Sequence, residues 1–241
     1  KENFKPKWIH FSWGTDMEFF AKNQQYKSTH LTKIKKLLKH CDFHVADCKR
    51  DVKQAIRLGL RGKSLGMCLA PGGFDLKQLA ALRKSAPQKR SIILIKGRQG
   101  DYAGKAFTVL EALSQIPKQL EGYEVKIVMA KDNVRRRCQE LFDPQGIKYK
   151  IVPKLPYKEL LKLFAESKIA ISATTVDGTP SFLTEAMALG ALPIHSDMKS
   201  VREWITNCKN GLLFPVNDTK LLAKYIKKAL GDDTLVDTAR E

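Results

Sequence analysis

The sequence lacks the patterns by which metal sites and disulfide frameworks are recognised. Its cysteines form no CxxC pair and no zinc spacing, and its five histidines have no ligand spacing either. The cysteines are Cys41, Cys48, Cys68, Cys138 and Cys208. An odd, scattered set of this kind is typical of reduced thiols in a cytosolic protein. We therefore expect no bound metal and a cytoplasmic location.

Long apolar runs are absent as well. No stretch approaches the roughly 20 apolar residues that a helix needs to span a bilayer, and the start shows no signal-peptide pattern. The chain begins at Lys1 rather than at a methionine, which indicates that a leading segment is missing. The sequence also has no aromatic stacking platform and no helix-turn-helix pattern, so we expect no nucleic-acid partner.

Positive charge, in contrast, is abundant and unevenly placed. The 241 residues carry a formal net charge of +18. Residues 1–90 hold 20 Lys and Arg against 7 Asp and Glu. This part of the chain therefore favours an anionic partner, such as an anionic membrane surface or a phosphorylated acceptor. A generally basic surface explains the same excess.

One predicted helix in this basic part is amphipathic. Leu31, Ile34, Leu37 and Leu38 follow helical spacing after a capping residue at Ser28 or Thr29. Three lysines lie between them, and a fourth, Lys39, follows directly. The helix can lie on a membrane with this apolar stripe inward, or it can pack the stripe against a globular core. We favour the core interpretation.

From about residue 91, short apolar strands alternate with helices of roughly ten residues. This alternation predicts an α/β fold with a parallel sheet covered by helices on both faces. Residues 79–90 are polar and basic and contain Pro87, so we place a linker there and divide the chain into domains 1–88 and 89–241. In such sheets the ligand lies beyond the carboxyl ends of the strands, where the strand order reverses.

One strand, Ile169–Ser172, leads into a loop and a helix of particular interest. Pro180 suits the first turn of that helix, and Gly190 suits its end. The unpaired N–H groups of a helix start form a site for a phosphate or a sugar hydroxyl. Asp177 in the loop and Glu185 in the helix can flank these donors. The pattern indicates a ligand that is phosphate at one end and polyhydroxylated at the other.

The stretch from Asp177 to Pro193 resembles the "E-G-x-P, then E-A-M-A-x-G-x-P" signature of family-4 retaining glycosyltransferases of the GT-B type. The resemblance is strongest over residues 91–230, which match the donor-binding C-terminal domain of that family. Two shorter motifs, at residues 13–16 and 71–75, resemble segments of its N-terminal domain. The resemblance implies two Rossmann-like domains that face each other across a cleft, with residues 1–88 as the later part of the first.

The resemblance also implies an activity. A sugar would move from a UDP- or GDP-linked donor to an acceptor hydroxyl, with retention of configuration and without a metal or cofactor, in polysaccharide, lipopolysaccharide or glycolipid synthesis. The implied donor-binding residues are Gly178, Thr179, Pro180, Ser181, Phe182, Glu185, Val152, Pro153 and Lys154. The implied catalytic residues are Lys105 in the first turn of its helix, Arg98 and Asp177. Lipid-linked or oligosaccharide acceptors, and attachment to the inner face of a membrane, agree with the basic residues 1–90.

The chain departs from the family pattern at two places. Asp177 stands where the family usually has glutamate and reaches one methylene less. Two residues are inserted in the usual Gly-Arg, Lys-Gly pattern, between Arg98 and Lys105. These departures leave open a non-catalytic nucleotide-sugar-binding or interaction module of the same fold. Each assigned residue also has an ordinary interpretation, as a loop acid, a helix-surface acid, a solvated lysine or a strand-to-helix loop.

Overall fold

The computed structural model describes residues 5–22, 24–69, 73–83, 86, 89–100 and 103–238. The chain divides into two compact units. The first unit comprises Lys1–Gly73, Val176–Thr179 and Lys199–Glu203. The second unit comprises Phe74–Thr175, Pro180–Met198 and Trp204–Glu241.

The first unit is a small parallel sheet with helices packed beside it. Its elements are β1 (Ile9–Ser12), α1 (Thr15–Lys22), α2 (Gln24–His40), β2 (Phe43–Ala46), α3 (Lys49–Arg57) and β3 (Lys63–Met67). The strands pair in the order β1-β2-β3, all parallel. Leu38 of α2 is fully buried with Met17 and Ala55, and Ile34 packs against them. The core interpretation of α2 is therefore confirmed for Leu38 and Ile34, whereas Leu37 is 46% exposed.

The second unit is a larger α/β layer structure. Its elements are α4 (Leu76–Leu82), β4 (Ile92–Lys96), β5 (Gln99–Gly100), β6 (Gly104–Lys105), α5 (Ala106–Ser114), β7 (Glu124–Val128), α6 (Asp132–Phe142), β8 (Tyr149–Ile151), α7 (Tyr157–Glu166), β9 (Ser167–Ser172), α8 (Ser181–Ala188), β10 (Leu192–Ser196), β11 (Leu212–Phe214), α9 (Thr219–Gly231) and α10 (Asp233–Thr238). Six of these strands form one parallel sheet in the order β11-β10-β9-β4-β7-β8.

Both faces of the six-stranded sheet are buried, because successive strand residues point to opposite faces. Ile93 and Ile95 pack into one core with residues of α5, α6 and α9. Ile92 and Leu94 pack into the opposite core with residues of α4, α7 and α8. The predicted α/β fold, with helices on both faces of a parallel sheet, is confirmed.

The strand order reverses in the middle of this sheet. Along the chain the strands run outward from β4 to β7 and β8, then return to β9 on the other side of β4 and continue to β10 and β11. The carboxyl ends of β4 and β9 therefore lie side by side. This is the doubly wound order, and the switch point is where such sheets bind ligands.

Backbone and side-chain contacts fix the end of α8. Gly190 has φ +72°, the left-handed conformation that glycine adopts most readily. The N–H of Gly190 donates to Met187 O at 3.1 Å, and that of Ala191 donates to Ala186 O at 2.9 Å, the paired bonds of a Schellman motif. The guanidinium of buried Arg90 donates to Gly190 O at 2.8 Å. The expected helix end at Gly190 is confirmed.

Several boundaries differ from the sequence expectations. The second unit begins at Phe74 rather than at residue 89, because α4 buries Leu79 in the core shared with α7 and α8. Part of the expected linker, including Pro87, lies outside the described residues. Pro71 and Gly72 of the second short motif also lie outside them. Between β10 and β11, residues 201–203 form a single 3-10 turn, Val201–Glu203.

Two expectations from composition concern the whole chain. All five cysteines are free thiols, and Cys68 and Cys208 are exposed. Among the described residues, no helix combines the length and the apolar character required to cross a membrane.

Candidate functional site at the sheet switch point

The start of α8 presents unpaired backbone donors. Pro180 precedes the helix in an extended conformation, and its carbonyl accepts from the N–H groups of Leu183 and Thr184 at 3.0 and 3.2 Å. Within the described part of the chain, the N–H groups of Ser181 and Phe182 have no hydrogen-bond partner. The start of α8 therefore offers two donors at the positive end of a helix dipole.

The N–H groups that precede Ser181 are already bonded within the protein. The N–H of Gly178 donates to Asp177 Oδ1 at 3.0 Å. The N–H of Thr179 donates to Asp47 Oδ2 at 3.2 Å, and its hydroxyl donates to the Asp47 carbonyl. Both residues belong to the first unit. Since their N–H groups are engaged, Ser181 and Phe182 supply the open donors.

Glu185 lies in α8 and is only 6% exposed. Burial raises the pKa of its carboxyl to about 7, although a hydrogen bond from Tyr157 and the charge of Lys96 lower it. Desolvation, the charge of Glu185 and the hydrogen bond to it raise the pKa of Tyr157 to about 12. Neutral and ionised Glu185 are thus about equally populated near pH 7. Such a perturbed carboxyl is typical of a functional group.

Lys96 and Tyr157 are candidate site residues that the sequence analysis missed, because both act on the carboxyl of Glu185. Lys96 ends β4 at the switch point, and Tyr157 begins α7. A lysine that closes an otherwise apolar strand, Ile92–Ile95, is a signal that the sequence does contain. No local pattern indicates Tyr157, because its contact with Glu185 joins residues 28 positions apart.

The sequence analysis placed Lys105 in the first turn of its helix. In the structure α5 begins one residue later, at Ala106. Lys105 lies in β6 of a two-stranded hairpin, directly before the helix. Its N–H donates to Ala173 O at 3.0 Å, which attaches the hairpin to the loop after β9. In this hairpin Gln99 pairs with Lys105 and Gly100 with Gly104, and residues 101–102 lie outside the described residues. Lys105 is half-buried beside the switch point.

Arg98 follows β4 and is exposed, and its carbonyl accepts from the N–H of Ala106 at 3.2 Å. A Cβ added at Gly104 would lie 2.4 Å from that carbonyl oxygen. Only glycine fits at this close approach of the hairpin to residue 98. The structure therefore brings both expected cationic residues, Arg98 and Lys105, to the loops that follow β4.

Three of the expected donor-binding residues, Val152, Pro153 and Lys154, follow the edge strand β8. Val152 is buried, and its N–H donates to Ile127 O at 2.9 Å, in continuation of the sheet. Pro153 and Lys154 are exposed. A contact at Val152 would consequently use its carbonyl rather than its N–H. His195, in contrast, lies inside β10 and is 1% exposed, as expected for a residue of a strand.

Asp177 is half-buried and belongs to the first unit, whereas Glu185 belongs to the second. The Asp177 carboxylate accepts from the N–H of Gly178, and the Asp177 carbonyl accepts from Arg50 Nη1 and from Ser200 Oγ, each at 3.0 Å. The segment around Asp177 is therefore held by first-unit side chains from distant parts of the sequence.

No metal spacing is evident in the sequence, but three buried side chains of ligand type lie together in the first unit. The ligand atoms of Asp47, Cys48 and Asp51 are within 4.8 Å of one another. Arg50 Nε lies 2.7 Å from Asp51 Oδ1, so the protein itself supplies a positive charge there. Burial also raises the pKa of the Cys48 thiol, which keeps it protonated. Of the three side chains, Asp47 contacts the segment 177–179, through the N–H of Thr179.

The sequence matches the model of a known protein family. The sequence model described as glycosyl transferases group 1 matches residues 80–241, which is more than half of the chain. No curated protein matches the sequence significantly.

Solved structures match over nearly the whole chain at low identity. Sucrose-phosphate synthase from Thermosynechococcus elongatus is 21% identical, with a TM-score of 0.74, over 100% of this chain and 62% of that one. A TarM variant from S. aureus in complex with UDP is 12% identical, with a TM-score of 0.77, over 100% and 47%. Anabaena HepE in complex with UDP-glucose is 14% identical, with a TM-score of 0.68, over 96% and 66%. The chain thus spans about half to two thirds of the length of these proteins, and the likeness shows the fold.

The raised pKa of Glu185 predicts that the unfolding free energy depends on pH. Because the folded-state pKa of about 7 exceeds the ordinary value of 4.5, the folded state binds more protons, and stability falls as pH rises through this window. Glu185→Gln removes this dependence. Between pH 5 and pH 8.5 we expect the variant to gain about 2–3 kcal/mol in unfolding free energy relative to wild type. Urea unfolding at several pH values measures the difference, and a constant difference contradicts the assigned burial of the charge.

Proposed function

The chain belongs to the glycosyl transferases group 1 family and has the GT-B fold, and we propose that it transfers a sugar from a nucleoside-diphosphate sugar to an acceptor hydroxyl with retention of configuration. The observation that carries this proposal is the pairing of two open N–H donors at the start of α8 with a buried carboxyl one turn further along the same helix. Both follow β9, at the switch point of the sheet.

The donor would bind through two chemically different groups of α8. The N–H groups of Ser181 and Phe182 donate to diphosphate oxygens, as helix starts do in other phosphate sites. Glu185 accepts from the ribose hydroxyls, and Tyr157 orients its carboxylate. Asp177 accepts from the hydroxyls of the donor sugar.

The base would lie beside the residues that follow β8, Val152, Pro153 and Lys154, and would contact mainly their backbone. Two of the similar structures contain UDP or UDP-glucose. We propose a UDP- or GDP-linked donor, and these structures favour UDP.

The positive charge for the leaving group would come from the protein. As the bond between the anomeric carbon and the diphosphate breaks, its electron pair goes to the phosphate oxygen, and negative charge grows there. Lys105, Arg98 and the open N–H groups of α8 stabilise this charge. The acceptor oxygen forms the new bond on the same face, and its proton goes to the departing phosphate. We propose that this step uses no metal and no cofactor.

A non-catalytic module of the same fold is the second candidate. One observation favours it: Asp177 is shorter than the usual glutamate, and its Oδ1 already accepts from Gly178 at 3.0 Å. Such a module would bind the nucleotide sugar without transferring or hydrolysing it. Turnover of a nucleotide sugar by the purified protein therefore separates the two candidates.

The acceptor is proposed to be lipid-linked or an oligosaccharide, in polysaccharide, lipopolysaccharide or glycolipid synthesis. The basic part of the chain, residues 1–90, supports an acceptor at an anionic membrane surface. On α2, Lys33, Lys36 and Lys39 are exposed together with part of Leu37. A cytoplasmic protein that binds peripherally to the inner face of the membrane fits this surface.

Replacing Glu185 tests donor binding. We expect Glu185→Ala to weaken the affinity for the nucleotide sugar at least tenfold, because a buried acceptor for the ribose hydroxyls is lost. Calorimetry measures the affinity. The matched control is Glu166→Ala, which removes an exposed carboxylate near the end of α7. Equal affinities in the two variants count against the role of Glu185.

Replacing Lys105 tests catalysis. We expect Lys105→Ala to lower turnover of the nucleotide sugar by roughly 10²–10³-fold while the melting temperature stays unchanged, since a cation beside the leaving group is lost. Lys118→Ala, at an exposed lysine of the same unit, serves as the control. Turnover equal to that of wild type refutes the assignment. A Lys105→Ala variant that unfolds also refutes it, because the lysine is then structural.

Vesicle binding tests the membrane proposal. We expect the protein to co-sediment with vesicles that contain anionic lipid and not with neutral phosphatidylcholine vesicles, and to be released as salt rises. Reversing the charge of Lys33, Lys36 and Lys39 to glutamate should abolish the binding. Equal binding to both kinds of vesicle contradicts the electrostatic account.

A further inference from the structure

Two residues of the first unit, Asp47 and Arg50, bind the two ends of the segment 177–179. Arg50 Nη1 donates to the carbonyl of Asp177 at 3.0 Å. The carboxylate of Asp47 accepts from the N–H of Thr179 at 3.2 Å, and the Asp47 carbonyl accepts from the Thr179 hydroxyl. These partners lie 127 to 132 positions away in the sequence. The conformation of this segment therefore depends on residues outside its own loop.

At two positions, Gly14 and Gly178, the backbone lies so close to neighbouring atoms that only glycine fits. A Cβ added at Gly178 would lie 2.2 Å from both carboxylate oxygens of Asp47. A Cβ added at Gly14, which has φ +84°, would lie 2.1 Å from the nitrogen of Gly178. The carboxylate of Asp47 and the β1–α1 turn thus lie directly against the backbone of residue 178.

Asp47 and Arg50 are themselves fixed at the start of α3. The carboxylate of Glu203 accepts from the N–H groups of Lys49 and Arg50, at 2.7 Å each. Arg50 Nε donates to Asp51 Oδ1 at 2.7 Å, and the Arg50 side chain is only 10% exposed. A buried guanidinium in such a network loses little further side-chain entropy when it binds the segment.

The contact between Asp47 and Thr179 depends on pH, because it depends on the charge of the Asp47 carboxylate. Burial is the largest cause of its shifted pKa, which is raised to about 6. Asp51 and Asp177 also raise this pKa, while the Thr179 N–H and Arg50 lower it. The neighbouring Cys48 thiol stays protonated because burial raises its pKa. Asp47 is therefore ionised at neutral pH and accepts a charge-assisted hydrogen bond from Thr179.

We propose that Asp47 and Arg50 are positioning residues: they fix the backbone of residues 177–179 and so place the Asp177 carboxylate for the donor sugar. This inference rests on the proposed function. Neither residue is assigned a contact with the substrate. Since the groups assigned to the nucleotide, Glu185 and the N–H groups of α8, belong to the second unit, loss of Asp47 or Arg50 should affect recognition of the sugar and spare that of the nucleotide.

The experiment compares two affinities for each variant by calorimetry. The probes are UDP-glucose with UDP and GDP-mannose with GDP, and the pair that binds wild type is used. We expect Arg50→Ala to bind the nucleotide sugar about tenfold more weakly while its affinity for the nucleoside diphosphate changes less than twofold. Arg50→Lys should restore part of the loss. Arg57→Ala, at an exposed arginine of the same helix, should change neither affinity.

A pH series with Asp47→Asn provides the second readout. The asparagine oxygen still accepts from Thr179 but carries no charge. The terminal phosphate of the free nucleoside diphosphate ionises a second time at about pH 6, which the sugar nucleotide does not, so the ratio of sugar-nucleotide to nucleotide affinity changes with pH in both proteins. As pH passes upward through about 6, the ratio should rise further in wild type than in Asp47→Asn. Division by the nucleotide affinity removes the contribution of Glu185. If Asp47 has a structural role alone, the ratio changes with pH to the same extent in the two proteins.

The outcomes separate this inference from the proposed function. If wild type binds neither nucleotide nor sugar nucleotide, the proposed function fails, and the positioning role fails with it. If wild type binds both probes and every Asp47 and Arg50 variant keeps the wild-type ratio, only the positioning role is refuted. Should Arg50→Ala fail to fold, Arg50→Lys and Asp47→Asn decide by the same ratio.

Discussion

The return of the chain from β8 to β9 places the carboxyl ends of β4 and β9 next to each other, and the second unit's candidate groups depend on that reversal. Lys96 ends β4, and α8 begins after the loop that follows β9. The hairpin that carries Lys105 pairs with the same loop through Ala173. Because β4 and β9 are buried on both faces by apolar side chains, they hold these loops at fixed positions.

The buried carboxyl of Glu185 shows how the fold supports a function at a cost in stability. An acid inside a helix that packs against the core is desolvated, and its ionised form is destabilised. The hydrogen bond from Tyr157 and the charge of Lys96 offset part of that cost. An uncharged side chain at this position would be buried at a smaller cost in free energy. The acid is consistent with an acceptor for ligand hydroxyls.

Much of this arrangement follows from local sequence. The expected helix from Pro180 to Leu189 is α8, and Gly190 ends it, because proline and glycine act through the backbone of their own neighbours. Helix α1 was missed, since a Gly-Thr-Asp sequence also suits a turn; the Asp16 carboxylate accepts from Trp13 N–H there. The contacts of Tyr157 with Glu185 and of Asp47 with Thr179 join distant positions, so no local pattern reveals them.

The most direct measurement of the central claim follows the backbone N–H groups of α8 by NMR while UDP or GDP is added. The account predicts that the signals of Ser181 and Phe182 move most, toward the positions of N–H groups bound to phosphate, while that of Thr179, already engaged by Asp47, moves little. Binding of either nucleotide that leaves Ser181 and Phe182 unchanged would contradict the account.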